Sequence, residues 1–132
     1  MRLRLKDKRK KQLGIRRFFK SFVYNYEGIR YALLNEQSMI IHFIIALIVI
    51  IFGFILKINK YEWMITLIII ACVISSEFIN TAVEAIVDMV MPEKHPLAKI
   101  AKDTASTAVG IFALVALVIG FIIFVPKFIA LF

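Results

Sequence analysis

Between Ser76 and Asp88 an otherwise apolar run is interrupted by Glu77, Asn80, Thr81, Glu84 and Asp88. At about 100° per residue on a helix, Glu84 falls about 20° to one side of Glu77, Asp88 about 20° to the other and Asn80 about 60° away. Three carboxylates and an amide therefore share one stripe. A column of acids repels itself unless basic side chains, protons or a metal neutralise it, and Mg²⁺ would bring phosphates with it. A carboxylate inside a bilayer costs a few kcal/mol on insertion scales (about 3) and is retained for function or pairing.

Acids at a water–lipid boundary with lysines nearby suit a reaction between a charged, water-soluble donor and a lipid-embedded acceptor. Phosphoryl transfer fits: it needs Mg²⁺ on the phosphates, a cation to offset transition-state charge and a base for the attacking hydroxyl. Glu77, the deepest acid, suits the base role. The turn Met91-Pro92-Glu93-Lys94-His95-Pro96-Leu97 delivers Lys99, Lys102, Asp103, Ser106 and Thr107 at the depth of Glu84 and Asp88, and Asn35, Glu36 and His42 approach from the first span. Simple ion pairs, Glu84 with Lys102 or Asp88 with Lys99, compete with this reading. His42 reads as a packing or snorkelling residue, Ser106, Thr107 and Gly110 as small residues for close helix contact, and Tyr24, Tyr26 and Trp63 as interfacial aromatics. The phosphate-cradling loop and the protein-kinase signature are absent from the sequence.

The elements that must position these groups are membrane helices. Of 132 residues, 61% are hydrophobic against the usual 45–50% or so, which argues against a water-soluble domain. Three segments meet the need for about 20 apolar residues per crossing, at about 39–56, 63–90 and 104–125, the last closed by Pro126 and Lys127. Helices are the only way one chain with three such segments satisfies its backbone in lipid. Ten of the 17 basic residues lie in the first 20, giving a basic leader at 1–14 ahead of one membrane-embedded domain at 15–132. Eleven Lys and Arg from Arg2 to Arg30, with Lys94, Lys99 and Lys102, stand against Lys57, Lys60 and Lys127, which predicts a multi-pass cell-membrane protein with a cytoplasmic N-terminus and an exterior C-terminus. The net charge of +8 points to anionic lipids rather than nucleic acid. Phe18, Phe19, Phe22, Val23, Tyr26, Ile29, Leu33 and Leu34 recur at helical spacing, as in a helix that lies in the interface or packs on the bundle. The single cysteine, Cys72, supports neither an intrachain disulfide nor a zinc site.

The run from Glu77 to Asp88, followed by His95-Pro96-Leu97-Ala98-Lys99-Ile100-Ala101-Lys102-Asp103, resembles the prokaryotic diacylglycerol kinase family, small integral-membrane lipid kinases, over about residues 15–125. The His-Pro-Leu-Ala-Lys form and the basic leader look closer to its Gram-positive branch, whose members phosphorylate undecaprenol. The resemblance implies an all-α homotrimer with sites shared between subunits, and ATP with Mg²⁺ as phosphoryl donor. On this chain it implies Glu77 as catalytic base and Glu36 and Glu84 as the acids holding Mg²⁺ with ATP. Asn80, Asp88, Lys102 and Asp103 would surround the nucleotide, Lys102 as a phosphate contact, and Arg17, Tyr24 and Asn25 fall near further nucleotide contacts. His42 departs from the pattern, because the best-known diacylglycerol kinases carry an acid there, and no nucleotide role is carried over to it.

The acceptor stays open at this point: undecaprenol and diacylglycerol both present one hydroxyl on apolar tails. A reading from another class makes Glu77, Glu84 and Asp88 a proton or ion relay. A third, a purely structural subunit, would tolerate loss of all three acids.

Overall fold

The computed structural model describes residues 14–131, and these are helical almost throughout: α1 (Ile15–Asn35), α2 (Gln37–Ile55), α3 (Lys60–Val90) and α4 (Pro96–Ile129). The basic leader, apart from Gly14, lies outside the described residues. The last three helices are long and apolar enough to cross a membrane, as the sequence predicts. The third crossing differs at both ends. It starts at Pro96, where His95 caps the helix by accepting from the Leu97 N–H at 3.2 Å and the proline occupies a first-turn position that needs no donor. It also runs through Pro126 to Ile129 rather than closing there. A proline this near the end costs the helix one hydrogen bond, and the Ala130 N–H closes the last turn on the Pro126 carbonyl at 3.1 Å.

A four-residue connection ties α2 to α3, and each half of it is specified. Lys57 takes a left-handed conformation (φ 50°), and the N–H groups of Lys57 and Ile58 return to the carbonyls of Phe54 and Gly53, a Schellman end to α2. Asn59 then caps α3 by accepting from the Tyr61 and Glu62 N–H groups, while Glu62 accepts from the Asn59 N–H, closing a capping box. Trp63 lies on Gly53 and beside Phe54, with ring centroids 4.8 Å apart, so it is part of this turn's packing as well as an interfacial aromatic. At the same end of the bundle Lys127 of α4 meets Glu62 at 3.1 Å.

α3 runs between α2 and α4 and packs most extensively on α4. Its buried residues are mainly polar: Thr66, Ser76, Glu77, Asn80 and Thr81, with Val73. This inverts the soluble pattern because lipid solvates leucine as well as a protein interior does, so only polar groups gain by turning inward. α1 buries Ala32 alone, leaving Phe18, Phe19, Phe22, Val23, Tyr26 and Ile29 open along its apolar side. Within this chain that stripe is not packed on the bundle, which agrees with a helix lying in the interface. Ser106, Thr107 and Gly110 are also exposed, so the face read as a site of close helix contact has no neighbour inside the chain.

Candidate active site

Burial falls steadily along the acidic stripe. Glu77 is 2% exposed and Asn80 6%, Glu84 is half-buried and Asp88 lies open. A stripe along one helical face thus becomes a passage from the interior of the bundle to one end of it.

Glu77 is held from α2. His42 Nδ1 lies 2.6 Å from Glu77 Oε1, and Ser38 Oγ donates to Oε2 at 3.1 Å. The two side chains are four residues apart and so share one face of α2, and the fully buried Met39 seats the same turn against the bundle. The reading of His42 as a packing or snorkelling residue is corrected here. His42 lies six residues beyond Glu36, so α2 carries it inward to the level of Glu77 instead of leaving it at the surface. Ser38 escaped sequence reasoning altogether. The signal that could have found it is a serine and a histidine at i, i+4 facing a buried acid on the next helix.

One turn further along α3, Asn80 Nδ2 donates to Glu84 Oε1 at 2.9 Å, while Asn80 Oδ1 is buried without a hydrogen-bond partner. Glu36, at the break between α1 and α2, faces the same region. Partial burial, followed by the negative charges of Glu84 and Glu77, holds its carboxyl above the ordinary glutamate range. Among the described residues no three His, Cys, Asp or Glu side chains form a closed metal cluster. A Mg²⁺ ion that arrives with phosphates needs only one or two protein carboxylates. Two mutually repelling carboxylates beside an unsatisfied amide oxygen fit that requirement, so Glu36 and Glu84 suit the metal role and Asn80 can add an oxygen.

The lysines pair differently from either arrangement weighed above. Lys102 Nζ meets Asp88 Oδ1 at 2.5 Å, and Lys99 meets Asp103 Oδ2, its i, i+4 neighbour, at 2.5 Å. The lysine of the i, i+4 pair is satisfied within α4, which leaves Lys102 to reach across to α3. Glu84 is bonded to Asn80 rather than to Lys102. Asp103 is turned to Lys99 and stands apart from the stripe. Arg17, Tyr24 and Asn25 are exposed on α1, with no side-chain hydrogen bond or ion pair to the α3 carboxylates. A single chain thus brings together Glu36, Glu77, Asn80 and Glu84, with Asp88 and Lys102 at the rim, and leaves the α1 group and Asp103 outside.

From His42 an apolar groove of about 420 Å³ leads away between α2, α3 and α4, lined among others by Ile45, Val49, Ile70, Ala116 and Phe124.

A four-helix membrane protein with a carboxylate buried at depth and a polar rim defines a class in which a water-soluble reactant meets a lipid. The chain belongs to the prokaryotic diacylglycerol kinase family, whose family model matches residues 23–124. It is 42% identical over 113 residues to the undecaprenol kinase of Bacillus subtilis, covering 86% of this chain and 92% of that protein. A diacylglycerol kinase of Helicobacter pylori is 38% identical over 100 residues (74% of this chain, 77% of that one), and that of Escherichia coli K12 is 30% identical over 105 residues (80% and 86%).

Proposed function

We propose that this protein is an ATP-dependent lipid kinase that phosphorylates the hydroxyl of undecaprenol, with diacylglycerol as the second candidate acceptor. The observation that carries the reading is Glu77: a carboxylate 2% exposed, at the inner end of a polar passage, in a chain of this family. The extent of the match to the Bacillus subtilis undecaprenol kinase favours the polyprenol.

Glu77 takes the proton of the lipid hydroxyl as its oxygen attacks the γ-phosphorus, and ADP leaves. Glu36 and Glu84 would hold Mg²⁺, with the Asn80 amide oxygen available beside Glu84. When bound, Mg²⁺ offsets charge on the phosphate oxygens. Lys102 leaves Asp88 for a phosphate, and Asp103, Arg17, Tyr24 and Asn25 complete the nucleotide site. Because one chain leaves these last four apart from the carboxylates, the reading requires assembly, and we assign them to sites shared between the subunits of a homotrimer. The groove beyond His42 takes the apolar tail. The enzyme sits in the cell membrane with its N-terminus cytoplasmic and C-terminus exterior, on the basic-residue asymmetry, and its net positive charge makes anionic lipid a partner.

The test is initial-rate phosphorylation of undecaprenol and of a diacylglycerol by the purified full chain in one detergent with Mg-ATP. Undecaprenol is expected to react faster, and Glu77→Gln to lower the rate by about 10²–10⁴-fold while the protein stays folded. Potential-driven proton flux in proteoliposomes without ATP, together with failure to phosphorylate either alcohol, would establish the relay instead.

A further inference from the structure

Proton abstraction by Glu77 does not by itself require anything of α2, yet α2 occupies both oxygens of that carboxylate. Resting on the reading of Glu77 as the base, we infer that Ser38 and His42 form a two-point clamp that fixes the Glu77 carboxylate for attack, with His42 as the principal positioning residue. His42 lies between two environments. Its Nδ1 is 2.6 Å from Glu77 Oε1, and its ring lines the apolar groove proposed for the lipid tail. With Glu77 ionised, Nδ1 carries the hydrogen and donates. A carboxylate has about four lone-pair positions, so two donors leave room for the substrate hydroxyl while removing the rotation that would spread the base over several orientations. Holding reacting atoms in register is worth much in rate, and a displacement of about 1 Å can cost on the order of 10²-fold.

The other histidine provides an internal reference. His95 Nδ1 accepts from the Leu97 N–H, so it carries no hydrogen, whereas His42 Nδ1 donates. The chain has two histidines, and ¹⁵N spectra of the labelled protein in micelles therefore contain one ring of each kind. His42 is expected to show a protonated Nδ1 that moves when Glu77 becomes Ala, with His95 unmoved. An Nδ1 indifferent to Glu77→Ala overturns the clamp.

Kinetics then separates positioning from scaffolding. His42→Leu fills the space without a donor and is expected to lower kcat per folded molecule by about 10- to 100-fold with KM for Mg-ATP and lipid little changed. His42→Asn returns an N–H near the Nδ1 position and is expected to recover kcat to within about threefold. Ser38→Ala is expected to cost about threefold to tenfold, since it removes the longer of the two bonds. If Glu77→Gln is inactive and His42→Leu retains full kcat, the clamp fails alone. If Glu77→Gln is fully active, the base reading fails and the clamp with it. If His42→Asn is as slow as His42→Leu, the donor role is refuted.

Discussion

Replacing Gly53 by alanine tests whether the turn between α2 and α3 is as tightly seated as the geometry says. A Cβ at position 53 would lie 2.8 and 2.9 Å from two carbons of the Trp63 indole and 3.2 Å from Ile58 Cδ1, where ordinary contact begins at 3.4 Å. The nearest atoms must part by about 0.6 Å, and they belong to the rigid Trp63 ring, which packs on Phe54, while the third is the end of the Ile58 side chain. Overpacking of this kind costs about 1–3 kcal/mol. Helix propensity favours alanine over glycine by about 1 kcal/mol, so a net loss of about 0–2 kcal/mol is expected. The coupling to Trp63 is the sharper quantity. In a Trp63→Phe background the offending ring atoms are gone, and Gly53→Ala should become neutral or stabilising, a difference of about 1 kcal/mol or more between the two backgrounds. Unfolding in mixed micelles followed by circular dichroism supplies all four corners of the cycle. Additivity within about 0.3 kcal/mol would refute the packing argument. Because this turn is at the opposite end of the bundle from the polar rim, kcat per folded molecule should not change.

Three other perturbations probe charge and backbone. Lys57→Gly removes the Cβ from a left-handed, exposed position and should stabilise the fold by about 0.5–1 kcal/mol, read from the same unfolding curves. Glu36→Gln should stabilise the ligand-free protein while weakening Mg-ATP binding. The folded state raises the proton affinity of Glu36, so the native chain is favoured below the ordinary glutamate range and loses that stability as pH rises through the raised value. A thermal-melt series in pH should therefore show the wild type falling behind the glutamine variant as pH rises, and Mg-ATP closing the gap; parallel curves would count against it. Asp88→Lys with Lys102→Asp preserves an ion pair that contributes little to stability at this exposed rim. If Lys102 serves the nucleotide, the swap should fold normally and still show a raised KM for ATP, and full recovery of KM would return the pair to a structural role.

Much of the architecture is legible in the sequence because lipid imposes it. Length and apolarity alone locate α2 and α3 to within three residues at either end, and the acid spacing of α3 places Glu77, Asn80 and Glu84 on one side before any coordinates exist. The misses have local causes. Pro126 reads as a stop because a proline breaks a helix interior, whereas in the final turn it forfeits a single bond. Neither of the ion pairs weighed against the functional reading forms, because a helical stripe gives angle and height but not which neighbour is satisfied first, and Lys99 is taken by Asp103 within α4. Ser38 is missed and His42 reads as a packing residue because neither stands out on its own helix, and their meaning depends on the depth at which α2 and α3 lie side by side.

The short, doubly capped link between α2 and α3 bears on how such a protein enters a bilayer at all. An isolated α3 would carry Glu77 into hydrocarbon without the serine and imidazole it meets on α2. Because Leu56 to Asn59 folds the chain back at once, the acid and the serine and imidazole that hold it travel as one hairpin, already mutually satisfied. Lengthening that link should leave the finished site intact and yet slow its insertion, since the carboxylate would then wait longer for its companions.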